Sequence, residues 1–404
     1  MKDIMSGVRV LEVAAWTYVP AAGAVLAEWG ADVIKIEHPE SGDPQRALVT
    51  SGLVPSGPGG VNHMIELPNR GKRSVGLDLK SEEGHELLMK IAATADVFLT
   101  SFLPPARKDL RIEVDDIRAA NPNIIYVRGS GQGQRGPEAD KGGYDGCSFW
   151  ARAVADIVTP ADEWPVGPPG PAFGDLLGGM TIAGGISAAL YHRERTGEAL
   201  VVDNSLLSTA MWATGASILA AGLFGMAKMP KGDRYQSPNP LVGTYRTGDG
   251  RFLSLMMLQP DRYWPEFIVA IGHPELGDDP RFVDGRARYE HRRECIDALD
   301  QIFATKSFDE WRAILSGIEG VWAPVQTAGE LLEDPQALEN GYIREVEAAS
   351  GTRFRMVPSP LQFDETAPDL TRAPDHGEHT DEVLMELGYD MDQLLELKLK
   401  GAIL

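Results

Sequence analysis

The sequence is poor in cysteine and in positive charge, and both shortages narrow the range of functions. Its 404 residues include two cysteines, Cys147 and Cys295, which lie far apart and form no CxxC motif. Neither a disulfide framework nor a zinc site is indicated, and a reducing cytoplasm is expected. There are 59 acidic and 38 basic side chains, and the net charge of -21 argues against nucleic acid or an anionic membrane as the main partner. Any anionic ligand must therefore meet a local cluster of basic residues.

Long apolar runs are missing as well. No charge-free stretch approaches the roughly 20 residues that a membrane-spanning helix needs, and the first residues run into a predicted strand without the pattern of a signal peptide. The most apolar segment, 211–224, is short and contains glycines, so a buried helix is expected there. The sequence has no GxSxG motif, which argues against the nucleophile elbow of serine hydrolases.

In the first half of the chain, segments typical of strands alternate with segments typical of helices. The predicted strands are 8–13, 33–37, 75–79, 97–99 and 124–127. A helix is expected after Ser81, and two longer helices are predicted over 176–193 and 205–223. This alternation is typical of an α/β fold with a parallel, Rossmann-like sheet wrapped by helices.

The composition changes after the second long helix. Residues 229–233 have the proline and glycine of a linker, and residues 244–258 predict a hairpin, after which charge-rich helices follow. We therefore divide the chain into three parts. These are a large α/β domain over 1–228, a smaller α+β domain over 229–320, and a return segment over 321–404 that completes the large domain.

One acidic residue stands out from the rest of the chain. Asp175 lies between Gly174 and the pair Gly178-Gly179, where a loop leads into an apolar helix. Aspartate in front of an apolar run is commonly a helix N-cap, and this is the simplest interpretation. The glycines, however, leave the backbone uncovered for a large ligand, and the positive end of the helix would keep the carboxylate ionised and supply donors for an oxyanion. Asp175 is therefore a candidate cap and also a candidate nucleophile for thioester chemistry.

Two other motifs are weaker. Residues 131–136 match GxGxxG after a predicted strand, but Pro137 and Glu138 follow where a dinucleotide-binding fold would begin an apolar helix. A glycine-rich active-site loop is the better interpretation. The segment 376–379 holds two histidines without a third ligand, which favours a surface loop, and no metal site is predicted.

Positive charge gathers at two places, 69–74 and 106–111, each beside a predicted strand. An anionic cofactor with several phosphates would require clusters of this kind. A solvated surface is the alternative interpretation of both clusters.

Taken in order, these segments resemble the class III coenzyme A transferases, the family of formyl-CoA transferase, carnitine CoA-transferase and the 2-methylacyl-CoA racemases. The resemblance extends over nearly the whole chain. The matching segments are 7–12 with Pro20, 26–37, 41–44, 69–74, 131–137, 143–145, 174–175, 324–325, 334–336 and 377–380.

The resemblance implies an interlocked homodimer that moves CoA from an acyl-CoA donor to a free carboxylic acid. Asp175 would attack the thioester to give a mixed anhydride, and the CoA thiolate would return to form an aspartyl-CoA thioester that the acceptor carboxylate opens. Acyl-CoA and carboxylic acid are then substrates, and no tightly bound cofactor is implied. The positions that would line the CoA site are Thr17, Tyr18, His38, Lys72, Arg73, Ser101, Phe102, Tyr144 and Asp145, with Arg107, Lys108 or Arg111 as a substitute phosphate contact.

This chain departs from the family pattern at three places. Residues 100–105 replace the family's Glu-Asn-Phe and Arg-Pro-Gly, and His38 stands where several transferases have arginine. The glycine-rich lid of the formyl-CoA transferases has no counterpart near 256–260, which argues against a formyl or oxalyl substrate.

Two alternatives to CoA transfer stay open. Racemisation next to the thioester needs an acid/base pair, but Tyr144 stands where racemases of this family place a histidine, so transfer is favoured. The other alternative is a non-catalytic or dinucleotide-binding α/β protein that keeps the scaffold. Asp175 with its neighbouring glycines argues against it.

Overall fold

The computed structural model describes residues 3–160, 163–226, 228 and 233–404, which form two compact units. The first unit takes in the described residues before 159, those from 165 to 228, and those from 334 to 404. The second takes in the described residues of 159–164 and those from 233 to 333.

The first unit is built on a parallel six-stranded sheet. Its strands are β1 (Arg9–Val13), β2 (Asp32–Glu37), β3 (Arg73–Gly76), β4 (Val97–Thr100), β5 (Ile125–Ser130) and β6 (Val201–Ser205). They lie in the order β3-β2-β1-β4-β5-β6, and every neighbouring pair is parallel. This is the strand order of the doubly wound Rossmann sheet, so the predicted α/β fold is confirmed.

The helices that follow these strands cover both faces. They are α1 (Tyr18–Glu28), α2 (Pro44–Thr50), α3 (His63–Asn69), α4 (Glu82–Ala92), α5 (Pro104–Asp109), α6 (Val114–Ala120), α7 (Ala155–Val158), α8 (Phe173–Thr196), α9 (Leu206–Ala213) and α10 (Gly215–Phe224). Ser81 caps α4 by accepting a hydrogen bond from the Gly84 N–H, as predicted. The single helix predicted over 205–223 is wrong, because α9 and α10 meet at an angle of 69°.

Side chains of β1 alternate between two cores, one on each face of the sheet. Val10 packs in the core that α1 and α8 cover, and Leu11 packs in the core that α4 covers. Both side chains are fully buried. Burial on both faces explains why a central strand such as β4 is apolar and easy to recognise in the sequence.

The helix α8 is long and apolar enough to cross a membrane by length and composition, and so is the bent pair α9 and α10 if taken as one span. The packing of α8 explains its apolar character. It lies against α1 and the sheet, and Ile182, Ala183 and Ile186 are buried in the core between them.

The second unit has an antiparallel sheet and a helical layer with a separate hydrophobic core. Its elements are β7 (Val242–Arg246), β8 (Phe252–Met256), α11 (Pro260–Ala270), α12 (Gly285–Glu290), α13 (Arg292–Phe303), α14 (Phe308–Leu315), β9 (Trp322–Pro324) and α15 (Ala328–Leu331). The predicted hairpin is β7 paired with β8. The boundary at residue 320 is wrong, because β9 pairs with β8 and the unit continues to Glu333. The linker residues 229–232 lie outside the described part of the chain.

The last segment belongs to the first unit. Its elements are α16 (Pro335–Glu339), β10 (Arg344–Glu347), β11 (Arg353–Met356), α17 (Thr380–Glu386) and α18 (Met391–Leu399). β10 and β11 form the hairpin predicted around 350–351. The segment is fixed to the edge strand β3, where the Gly76 N–H donates to Thr380 Oγ1 and the His379 N–H donates to the Ser74 carbonyl.

Candidate active site

Asp175 lies in the first turn of α8, two residues after the helix begins, and it is not the N-cap that the sequence suggested. Ala172 occupies the cap position with a left-handed backbone, φ 63°. The capping carboxylate comes from a distant segment. Asp145 Oδ1 accepts a hydrogen bond of 3.0 Å from the Gly174 N–H, and its carboxylate also accepts one from the Phe173 N–H. The Asp175 side chain therefore does not cap the helix.

The Asp175 carboxylate is only partly exposed, and no hydrogen bond to it is found among the described residues. Burial raises the pKa of Asp175 from 3.8 to about 7, and the nearby Asp145 carboxylate adds to this increase. Burial raises the pKa of Asp145 as well. A poorly solvated carboxylate without partners is more basic and more reactive than an ordinary aspartate.

Glycines next to Asp175 allow close packing, and they do not leave the backbone open as the sequence suggested. A Cβ at Gly178 would lie 2.8 Å from Cδ2 of the Tyr18 ring, and one at Gly179 would lie 2.6 Å from Ala21 Cβ. At Gly174 it would lie 2.5 Å from Asp145 Oδ1. These separations are too short for real side chains, so the glycines are required by their neighbours.

The ring of Tyr18 lies in this packed layer at the start of α1. Its hydroxyl donates to Asn204 Oδ1 at the end of β6, and Thr209 Oγ1 donates to the same oxygen. Burial, together with the charge of Asp175, raises the pKa of the Tyr18 phenol well above its ordinary value. Tyr18 is thus a neutral neighbour of Asp175, and the structure brings these two predicted site residues together.

The loop after β1 is held at the carboxyl edge of the sheet, where ligands bind in folds of this kind. Thr17 is buried and exchanges hydrogen bonds with the Gln45 side chain. Ser101, which follows β4, fixes the same loop by accepting from the Ala15 N–H at 3.1 Å. Trp16 has a left-handed backbone, φ 68°, and its N–H donates to Asp43 Oδ1. Such a conformation is rare for a large side chain.

The exposed side chain of Tyr144 contacts this loop. Its ring packs edge to face on Trp16, with 5.6 Å between centroids. Tyr144 directly precedes Asp145, so two predicted CoA-site residues lie beside Asp175 and the loop after β1. Neither Trp16 nor Asn204 was singled out from the sequence, because no local signal marks an aromatic pair or a hydrogen bond between distant segments.

His38, Phe102 and Arg107 follow β2 and β4 at the same edge. His38 is exposed, and its carbonyl accepts a hydrogen bond from His376 Nε2. Arg107 is buried, pairs with Glu113 and donates to the Phe102 carbonyl at 2.8 Å. Because its guanidinium makes these contacts, Arg107 holds the loop after β4 in place. Contacts of His38, Phe102 and Arg107 with CoA stay predictions.

Lys72 does not reach the surface, so the prediction that it contacts CoA is not supported by its position. Its side chain is 0% exposed, and Nζ donates to both Glu12 oxygens at 2.8 and 2.7 Å and to the Pro20 carbonyl. Lys35, also fully buried, shares Glu12 and pairs with Asp43 at 2.9 Å. Burial lowers the pKa of Lys72 to about 7. This is a core ion network.

Arg73 lies at the opposite edge of the sheet, because it is the first residue of β3 whereas the other site residues follow strand ends. It pairs with Asp32, Glu382 and Glu386. A ligand bound at the carboxyl edge would lie a strand length away. The position of Arg73 in this ion-pair network does not support the predicted CoA contact, which stays untested.

The glycine-rich segment 131–136 forms bends after β5 and no helix follows it directly, so the structure does not support a dinucleotide site there. Across the part of the chain that the structure describes, no group of three or more His, Cys, Asp or Glu side chains is placed to hold a metal ion.

Comparisons with known proteins agree with this fold. The CoA-transferase family III model matches residues 5–380. A cinnamoyl-CoA:phenyllactate CoA-transferase from Clostridium sporogenes is 33% identical over 405 residues, covering 98% of this chain and 96% of that protein. An alpha-methylacyl-CoA racemase from Mus musculus is 30% identical over 404 residues, covering 98% and 96%.

A solved structure is also similar. The crystal structure of a CAIB/BAIF family protein from Brucella suis superimposes with a TM-score of 0.82 at 27% identity, covering 96% of this chain and 100% of that chain. The family match spans most of the chain, and the related transferase is similar over its whole length. The chain therefore belongs to CoA-transferase family III and is an enzyme of that family.

Proposed function

We propose that this enzyme transfers CoA from an acyl-CoA to a free carboxylic acid, with Asp175 as the nucleophile. The observation that carries the proposal is the state of the Asp175 carboxylate, which is desolvated, without a hydrogen bond among the described residues, and next to a second carboxylate. A surface or structural aspartate would be solvated or paired. Carboxylates act as nucleophiles in covalent catalysis where their surroundings make them reactive.

In the first half-reaction, an Asp175 oxygen bonds to the thioester carbonyl carbon and the carbon–sulfur bond breaks. CoA thiolate leaves and a mixed anhydride remains. The thiolate then attacks the aspartyl carbonyl carbon, and the anhydride carbon–oxygen bond breaks. The donor acid leaves with one oxygen from Asp175, and an aspartyl-CoA thioester remains on the enzyme.

In the second half-reaction, the acceptor carboxylate attacks the aspartyl thioester carbonyl and expels the thiolate, which gives a second anhydride. The thiolate attacks the acceptor's carbonyl carbon, so that the new acyl-CoA leaves and the Asp175 carboxylate is regenerated with one oxygen from the acceptor. Every step exchanges acyl oxygen and sulfur bonds, so no oxidant or metal enters the balance.

Racemisation is the second candidate, favoured by one observation. Asp145 lies beside Asp175 and both carboxyl groups have raised pKa values, as a proton-transferring pair would need. Two facts weigh against it. Asp145 is engaged by two N–H groups of α8, and the position before it is Tyr144, whose ring is held on Trp16.

A second copy of this chain is the proposed partner, as an interlocked homodimer. Large apolar side chains on α9 and α10 are exposed, among them Trp212 at 88% and Phe224 at 74%. Exposed apolar surface of this kind is typical of an interface. Light scattering on the wild type should report a dimer, and Trp212→Glu should weaken it while Leu258→Glu, also exposed, should not. The cytoplasmic location stays a prediction.

Intact-mass spectrometry of the enzyme mixed with a panel of acyl-CoA thioesters tests the reaction directly. An adduct of CoA that hydroxylamine removes, and that Asp175→Ala does not form, supports transfer and ranks the donors. Exchange of the α-proton with deuterated water in the absence of any adduct would support racemisation and contradict transfer.

A further inference from the structure

Asp145 fixes the start of α8, which carries Asp175, by hydrogen bonds that no local sequence motif indicates. It begins a π-helical turn over Asp145–Ala151, is 7% exposed, and accepts hydrogen bonds from the N–H groups of Phe173 and Gly174. The second of these N–H groups belongs to the residue directly before Asp175. A Cβ on Gly174 would lie 2.5 Å from Asp145 Oδ1 and 2.6 Å from Phe149 Cδ2, so the contact is tight.

We propose that Asp145 is a positioning residue with two effects: it fixes the first turn of α8, and its negative charge favours the conversion of ionised Asp175 into neutral covalent intermediates. The inference rests on the proposed function of Asp175. The ionised carboxylate of Asp175 is repelled by Asp145, whereas the anhydride and the thioester carry no charge at that position. When Asp175 attacks, its charge leaves on the CoA sulfur and the repulsion is relieved.

The other charged and titratable groups on elements that pack against α8 do not offset this effect. On α1, Tyr18 is neutral at physiological pH and Glu28 pairs with Arg70. On the strands, Asp203 of β6 pairs with Arg128 of β5. The π-helical turn holds Asp145 and the free thiol of Cys147, and α9 carries no charged side chain.

A purely structural cap is the competing explanation, and Asp145→Asn separates the two. Asparagine is as good a cap as aspartate, so Oδ1 keeps its hydrogen bond from the Gly174 N–H while the charge is removed. Asp145→Ala removes the capping hydrogen bond as well as the charge, and serves as the comparison. If charge matters, the acid limb of the pH profile of kcat/KM shifts down by about one pH unit in Asp145→Asn, as expected when a like charge is removed.

A second readout needs no substrate. A double-mutant cycle with Asp145→Asn and Asp175→Asn, followed by urea unfolding at pH 8, measures how far the two charges interact in the fold. We expect Asp175→Asn to raise the unfolding midpoint more in the wild type than in Asp145→Asn. Equal increases in both backgrounds, or an acid limb that does not move, would overturn the inference.

The two readouts also keep this proposal distinct from the proposed function. A wild type that forms no CoA adduct with any donor, together with a non-additive cycle, would contradict the nucleophilic role of Asp175 and support the coupling. A wild type that forms the adduct, together with an additive cycle, would support the nucleophilic role of Asp175 and contradict its coupling to Asp145.

Discussion

Replacing the nucleophile should stabilise the fold at alkaline pH. Asp175→Asn keeps the size of the side chain and removes a poorly solvated negative charge that destabilises the folded chain. The pKa of Asp175 is raised from 3.8 to about 7, so the folded chain retains a proton that the unfolded chain loses over this range. Stability therefore falls as pH rises from about 4 to about 7, and the full cost is present above pH 7.

The size of the change in stability follows from the shift in the pKa of Asp175. A difference of about three pH units between the folded and the unfolded chain corresponds to about 4 kcal/mol. The side chain is partly exposed, so water screens part of this cost. We expect Asp175→Asn to increase the free energy of unfolding by about 2 kcal/mol at pH 8, and by about half as much at pH 5.5.

Equilibrium urea unfolding at the two pH values is the assay. Asp278→Asn is a control, because Asp278 is exposed in the second unit. A loss of stability in Asp175→Asn at pH 8, or an effect that does not decrease at the lower pH, would contradict a raised pKa of Asp175 in the folded chain.

Four further variants test the packing and the ion pairs. Gly178→Ala should destabilise by about 1–3 kcal/mol, because its Cβ would clash with the Tyr18 ring; Gly184→Ala on the same helix, where a Cβ meets no atom within 4 Å, should gain about 0.5–1 kcal/mol. Lys72→Met removes one of the two lysines that pair with the buried Glu12 carboxylate, and Asp43 already shares the other, so the variant should cost about 3 kcal/mol by urea unfolding. Arg73→Ala should leave KM for acyl-CoA unchanged and cost less than about 1 kcal/mol; an increased KM would place the CoA site nearer to β3.

The strands of the sheet could be predicted because the sequence signals for them are local. Strands such as β1 and β2 are short apolar runs with glycine or a cap at their ends, and parallel pairing follows from the helices between them. The break between α9 and α10 was missed because a single glycine, Gly215, marks it, and an isolated glycine is often tolerated inside a helix.

The site was predictable in part. Asp175 was found from its glycines and from the resemblance to a family, but the reason for those glycines lies in Tyr18 and Asp145, which come from other parts of the chain. Lys72 and Arg73 were assigned to CoA from the family resemblance, and their basic cluster could not test this because it has the same sequence signature whether it binds phosphate or pairs internally. Their partners, Glu12 and Asp32, are brought to them by strand order and not by sequence distance.

The central claim is that Asp175 exchanges an oxygen atom with the substrates. The measurement is a single round of transfer with an acceptor acid labelled with oxygen-18 in its carboxylate, followed by peptide mass spectrometry of the enzyme. We expect one heavy oxygen in the peptide that contains Asp175, and its later appearance in the donor acid released in the next round. Transfer of CoA with no heavy oxygen in that peptide would contradict it.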